Sequence, residues 1–238
     1  MHGPFFWLRE PMAKPDDGTK SPGSAKSPEA GANLKIPDFK IPDFKIIERR
    51  RVHPGFFPID QVRLIQRRHD GGWSRELERE VIVAREAVAV LLYDPRPDRV
   101  VLIDQLRLPA SLAGFPAMQT EIVAGLMETG ESPVEVARRE VFEETGVALI
   151  GEPLLITRTL TSPGGSTETV NLFCGRVDSA AVPPLAGLAS EDEDIRTLVI
   201  PLPDMLARIA DGRIANAFTI IAGYWLAANR KQLRRRWA

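Results

Sequence analysis

The chain is poor in several things on which whole protein classes depend. It has one cysteine, Cys174, so no intrachain disulfide can form and a reducing compartment is implied. Cys174 stands between Phe173 and Gly175 in a strand-like run and reads as a buried structural thiol. An excess of either charge is also missing. The 31 basic and 32 acidic residues leave a net charge of −1, which gives nucleic acid or an anionic membrane no electrostatic footprint. No apolar run approaches the ~20 residues of a membrane span. Phe5-Phe6-Trp7-Leu8 is too short for the apolar region of a signal peptide. The histidines, His2, His53 and His69, are scattered and are assigned no role. These absences leave an expectation of a bacterial cytoplasmic protein with neither a membrane nor a nucleic acid as partner.

What remains is ordinary globular material, 44% hydrophobic and 26% charged, on a chain long enough for one large domain and a small subdomain. The distribution is uneven. Residues 11–33 are rich in Pro, Gly, Ser, Ala and Lys and cannot bury enough apolar surface to order themselves. A short duplication follows, Ile36-Pro-Asp-Phe-Lys40 and then Ile41-Pro-Asp-Phe-Lys45, too brief for a solenoid and read as a linker. Residues 1–45 are therefore expected to be tail and linker. Candidate strands begin at Ile46-Ile47 and continue through Phe56–Ile59, Val62–Ile65 and Leu77–Val83, which suggests a small antiparallel subdomain over 46–85. The main domain, 86–238, opens with buried strands at Ala87–Tyr93 and Arg99–Gln105, joined by a turn whose two prolines cannot continue a ladder. Glu121–Gly125, Leu154–Leu160 and Val170–Val177 add strands, and Asp204–Ala210 and Ala217–Asn229 have helical character. The reading is α+β, a mixed β-sheet between helices.

The most informative stretch is 125–147. Ser132 is a good N-cap, Pro133 fits the first helical position, Glu135 completes an S-x-x-E capping box, and Gly146 ends the helix. Val134, Ala137 and Val141 make a core-facing stripe. Glu140, Glu143 and Glu144, spaced i, i+3 and i+4, share one face. Like charges so crowded destabilise a helix unless something positive sits among them. Oxygen ligands at this density suit a hard divalent cation shared with substrate phosphates.

Gly125, Glu131, Arg139, Glu140, Val141, Glu143, Glu144, Gly146 and Val147 match the pattern G-x5-E-x7-R-E-U-x-E-E-x-G-U, U being aliphatic. The chain thus resembles the Nudix hydrolases. From about residue 45 onward it is similar to their ADP-ribose pyrophosphatase branch. That likeness rests on Gly55-Phe56-Phe57, Leu106-Arg107, Glu121–Gly125, Ser162–Glu168, Glu191–Ile195 and Trp225-Leu226. The resemblance implies a Nudix fold and Mg²⁺, with Mn²⁺ as a substitute. It also implies a homodimer with exchanged N-terminal strands, and cleavage of ADP-ribose to AMP and ribose 5-phosphate. Another nucleotide-diphosphate sugar such as GDP-mannose, or a non-catalytic nucleotide-sugar sensor, is the alternative. The intact acidic face favours the enzyme.

Site expectations follow. Glu140 and Glu144 are the metal ligands, joined by the Ala124 carbonyl, while Glu143 either binds metal or orients the groups that do. Arg139 orients these carboxylates. Glu131 either ties the loop to the helix or simply shapes the turn. A glutamate bound to metal is a poor proton acceptor, and the resemblance assigns the general base to Glu191 and a further metal ligand to Glu193. Arg107, at a strand end before the Pro109–Pro116 loop, is placed to pair with a phosphate. By resemblance, Arg79 and Glu80 belong to a region that reaches the partner subunit's substrate. Phe56 either stacks on adenine or packs in a core. Glu168 either lines the pocket or belongs to a turn.

Overall fold

Two sheets organise the computed structural model, which describes residues 44–237. The low-complexity segment 11–33 and the duplicated segment up to residue 43 lie outside the described residues. The first sheet is an antiparallel meander of β1 (Phe44–His53), β2 (Ile59–Gln66) and β3 (Leu77–Ile82). β1 is exposed along its whole length. It is registered on β2 by pairs such as Ile46↔Leu64 and Arg50↔Gln61, and Arg49 and Arg51 both bond the buried Asp60 carboxylate. Phe56-Phe57-Pro58, expected as strand, instead forms the bend between β1 and β2. Pro58 has no N–H for a ladder, and pairing resumes only at Ile59.

The second sheet contains the core. Its chain order is β4 (Ala87–Asp94), β5 (Arg99–Leu106), a short helix α1 (Leu108–Leu112), β6 (Met118–Glu121), β7 (Val123–Leu126), helix α2 (Pro133–Thr145), β8 (Leu154–Leu160) and β9 (Thr169–Arg176). There follow β10 (Leu185–Ala186), β11 (Ile195–Pro201), α3 (Leu202–Ala210) and α4 (Ala217–Arg236). In space the order is β10-β11-β5-β4-β9-β8, with β6 on β5 and β7 on β4. The β4–β9 pair is parallel and the other pairings are antiparallel, so the sheet is mixed, as expected.

Every residue of β4 is buried because both faces of the sheet are covered. Ala89, Leu91 and Tyr93 pack on one side with α3 and α4, through Met205, Ala222 and Leu226. Val88, Val90 and Leu92 pack on the other with α2, through Val136, Ala137 and Val141. Cys174 is fully buried in the first layer, where burial raises its thiol pKa, as befits a structural thiol. Among the described residues no helix is long and apolar enough to cross a membrane.

Three further features depart from the sequence expectation. Glu121–Gly125 is two strands broken at Ile122, whose N–H donates to Thr219 Oγ1 of α4 at 3.1 Å instead of to a neighbouring strand. Ile195–Pro201 is a strand beside β5 that was not anticipated. Helix α4 runs on to Arg236, beyond Asn229.

α4 is tied back to the β4–β5 turn. Asp98, in the left-handed region at φ 61°, accepts from Tyr93 Oη at 2.6 Å and Arg230 Nε at 2.8 Å, and also bonds Arg230 Nη2. Burial alone would raise the Asp98 carboxyl pKa, but the Arg230 and Tyr93 hydrogen bonds and the Arg230 and Arg234 charges outweigh it and hold it below the ordinary 3.8. A depressed folded-state pKa means the contribution is complete above the unfolded-state pKa and lost as pH falls through the folded one. Asp98→Asn, which keeps a side chain tolerant of this backbone, is expected to cost about 1–3 kcal/mol at neutral pH. Thermal unfolding is expected to show that gap closing as the pH drops below the ordinary carboxylate range.

Candidate active site

Helix α2 forms as its sequence dictates. Glu135 N–H donates to Ser132 Oγ at 3.3 Å and Ser132 N–H donates to Glu135 Oε2 at 2.8 Å, closing the capping box, and Gly146 ends the helix at φ 69°. With Val136, Ala137 and Val141 turned into the core, the same helix brings Glu140 and Glu144 to the edge of β7. Glu144, 3% exposed, accepts from the Ala124 N–H at 3.2 Å. Glu140 lies directly on Gly125, where any Cβ would overlap its carboxylate. A Cβ at position 125 would therefore push the Glu140 carboxylate off the β7 backbone.

Arg139 is the positive group that this crowding demands. Its guanidinium donates to Glu140 at 2.7 Å, Glu143 at 3.2 Å, Glu131 at 3.1 and 3.2 Å, and the Leu126 carbonyl at 3.3 Å. Glu131 Oε2 also accepts the Glu128 N–H at 2.8 Å, so Glu131 both shapes the turn and ties the loop to the helix, joining the two roles its sequence position suggested. The Glu143 carbonyl accepts from Gly187 N–H at 3.1 Å and so holds the 187–193 loop against α2. Glu193 in that loop accepts from Leu188 N–H at 3.4 Å. Glu191 ends the 3-10 turn Ala189–Glu191, but its side chain lies outside what the structure describes.

The electrostatics fit a cation. Burial raises the Glu140 pKa, Arg139 opposes this, and the charges of Glu143 and Glu193 add to it. Glu144 is pushed up to about 8 by burial first and by Glu140 next, with Glu193 adding while the Ala124 N–H and Arg107 oppose. Carboxylates so desolvated and mutually repelling are stabilised in their ionised form by a divalent ion. Among the described residues no three acidic, His or Cys side chains already converge as a ligand cluster. Arg139 and the Ala124 N–H occupy the Glu140, Glu143 and Glu144 oxygens instead. The donor set nevertheless suits Mg²⁺, which takes one or two carboxylates and completes its shell with water and phosphate oxygens.

Beside this face opens a cavity of about 270 Å³, bordered by Ala124, Gly125, Arg107, Glu168, Asn216 and Phe218. Arg107 and Glu168, chosen from sequence, both border this cavity together with Ala124 and Gly125. Phe56, Arg79 and Glu80 do not border this cavity. Phe56 is 75% exposed and packs edge-on against Phe57, Arg79 donates to the Glu78 carbonyl, and Glu80 is exposed on β3. Sequence reasoning missed Asn216 and Phe218. Asn216 was recognisable, since an Asn immediately before a helix starting at Ala217 is a cap by position.

Gly125→Ala is expected to displace Glu140 without unfolding the protein. Far-UV circular dichroism should be unchanged, while Mg²⁺ affinity by calorimetric titration falls about tenfold or more.

Comparison with known proteins agrees with this geometry. Residues 83–216 match the NUDIX domain model. The ADP-ribose pyrophosphatase of Escherichia coli (strain K12) is 37% identical over 206 residues, covering 87% of this chain and 98% of that protein. The ADP-ribose pyrophosphatase of Haemophilus influenzae is 34% identical over 85% of this chain and 94% of its own. The GDP-mannose pyrophosphatase of Pectobacterium atrosepticum is 33% identical over 74% and 90%. A solved structure, that of an ADP compounds hydrolase, aligns with a TM-score of 0.60 over 79% of this chain and 96% of its own at 21% identity, a likeness of fold alone. With its domain matched and its relatives aligned over most of their length, the protein belongs to the Nudix hydrolase family.

Proposed function

We propose that this protein hydrolyses the pyrophosphate bond of ADP-ribose, giving AMP and ribose 5-phosphate, with Mg²⁺ as cofactor and Mn²⁺ as a substitute. The observation that carries the reading is the seating of Glu140 on Gly125 and of the buried Glu144 on the Ala124 N–H, with Ala124 and Gly125 themselves bordering the cavity that Arg107 also borders. Relatives named for ADP-ribose match a larger share of the chain, 87% against 74%, than the relative named for GDP-mannose, which supports ADP-ribose and makes GDP-mannose the second reading.

Glu140, Glu144, the Ala124 carbonyl and Glu193 would hold the metal, with Glu143 steadied through Arg139. A divalent ion supplies charge withdrawal from the pyrophosphate and acidifies water. Arg139 spaces Glu131, Glu140 and Glu143 and opposes the rise in the Glu140 pKa, and Arg107 binds a phosphate of the substrate. Glu191, on the loop tied to α2 through Gly187, takes the proton from the attacking water, since Glu140 and Glu144 are committed as ligands. Glu168 borders the cavity for the sugar or base.

The proposal includes a homodimer in which residues 46–85 exchange with a second copy. Its support is the exposure of the apolar residues Phe44, Ile46, Ile47 and Val52 on β1 and of Phe56 beyond it. Exchange would offer Arg79, Glu80 and Phe56, which lie off this protomer's cavity, to the substrate of the partner. A cytoplasmic location accords with the single buried thiol.

The test is product release from ADP-ribose, GDP-mannose, NADH and diadenosine polyphosphates, each with Mg²⁺ and with EDTA. ADP-ribose is expected to be preferred, and EDTA to abolish turnover; no turnover of any substrate by folded, Mg²⁺-bound protein would make it a sensor. Glu144→Gln should lower kcat by on the order of 10² or more and weaken metal dependence. Glu191→Gln should lower kcat by about 10²–10⁴ with metal affinity little changed; near-normal turnover would remove Glu191 from the base role.

A further inference from the structure

Arg107, between β5 and α1, is not held at the cavity by its backbone alone. Its Nε donates to Glu121 Oε2 at 2.7 Å, and its two terminal nitrogens have no hydrogen-bond partner among the described residues. The Glu121 side chain is only 10% exposed, and its other oxygen, Oε1, accepts from Asn216 Nδ2 at 2.8 Å. Asn216 has a second duty at its other end. Its Oδ1 accepts from Thr219 N–H at 2.9 Å and Thr219 Oγ1 at 3.0 Å, which caps α4. Thr219 Oγ1 in turn accepts from Ile122 N–H at 3.1 Å, next in the chain to Glu121. The contacts close a ring that joins the α4 N-terminus, the β6–β7 break and Arg107.

The ring determines which way each group faces. The Asn216 amide cannot be reversed, because that would set its oxygen against the Glu121 carboxylate and its NH₂ against the Thr219 N–H. Glu121, with one oxygen given to each donor, holds Arg107 by its Nε and leaves the paired terminal nitrogens as a fork for phosphate. Arg107 also opposes the raised pKa of Glu144, which places it within electrostatic reach of the acidic face.

On the reading of the cavity as a pyrophosphate site, we infer that Asn216 and Glu121 are positioning residues that aim Arg107 at a substrate phosphate, so that the cap of the C-terminal helix and phosphate recognition are one device. Both border the cavity, and the role inferred for them is exerted through Arg107. A cap-only role for Asn216 would use Oδ1 and leave Nδ2 to solvent, whereas Nδ2 is bonded to a nearly buried carboxylate.

The test separates capping from aiming. Asn216→Ser keeps a good N-cap but is too short to donate to Glu121. Its Tm is expected to stay within a few degrees of wild type. Its KM for ADP-ribose, and its Kd for Mg²⁺-pyrophosphate by calorimetry, are expected to rise about tenfold with kcat changed much less, because Arg107 grips ground and transition states alike. In an Arg107→Ala background the same substitution should add no further loss. Additive losses in the double variant, or unchanged KM and Kd with a lowered Tm, would overturn the inference and leave Asn216 as a cap. If Asn216→Ser does not fold, Glu121→Gln, which leaves the α4 cap in place, reads the same coupling. Wild-type protein that turns over no nucleotide sugar would defeat the functional reading, whereas the pyrophosphate Kd would still decide the aiming role.

Discussion

The seating of the Glu140 and Glu144 carboxylates against the β7 backbone is the constraint around which the rest of this structure is arranged. Two desolvated acids repel each other and are costly to keep ionised, which is why Glu144 is pushed up to about 8. Their position is nonetheless enforced. The capping box fixes where α2 begins, the Val136–Ala137–Val141 stripe fixes its rotation, and the missing Cβ of Gly125 leaves the space in which the Glu140 carboxylate lies. The fold therefore holds in place an arrangement that a cation completes.

The surrounding elements make that arrangement rigid and selective. β4, buried on both faces, carries β7 on its Ala87–Val90 half and presents Ala124 opposite Ala89. Arg139 gathers Glu131, Glu140 and Glu143 around one guanidinium, which ties the loop before α2 to the acidic face. On the opposite rim, α4 serves Arg107 through Glu121 and Asn216. Its far end is anchored to the β4–β5 turn by Asp98 and Arg230. In the proposed function, cofactor and phosphate recognition would thus be supported by different helices, one on each face of the same sheet.

The helical half of the site was legible because its signals are local. The capping residues, the glycine stop and the i, i+3, i+4 glutamates all lie within one helix and its flanks, and each appears where the sequence puts it. The strand runs Ala87–Tyr93 and Arg99–Gln105 were equally plain, as continuous apolar stretches bounded by a proline turn. What escaped depends on contacts distant in sequence. The break at Ile122 exists because Thr219, 97 residues on, takes its N–H. The partnership of Glu121 with Asn216 spans 95 residues and leaves no periodic trace. Ile195–Pro201 is a strand through its pairing with β5, and Phe56-Phe57-Pro58, strand-like in composition, is a bend because Pro58 cannot donate. Arg79 and Glu80 had only resemblance behind them and Phe56 only its aromatic ring, and within one protomer they stay off the cavity.

The central claim is that Glu140, Glu144 and the Ala124 carbonyl hold the catalytic metal beside Arg107. Its most direct test is anomalous diffraction from crystals grown with Mn²⁺ and a non-hydrolysable methylene analogue of ADP-ribose. The account predicts a peak at about 2–2.3 Å from both carboxylates and the Ala124 oxygen, with a phosphonate oxygen of the analogue on the Arg107 fork. Mn²⁺ bound away from Glu140 and Glu144, or an analogue seated outside the Arg107 cavity, would contradict it.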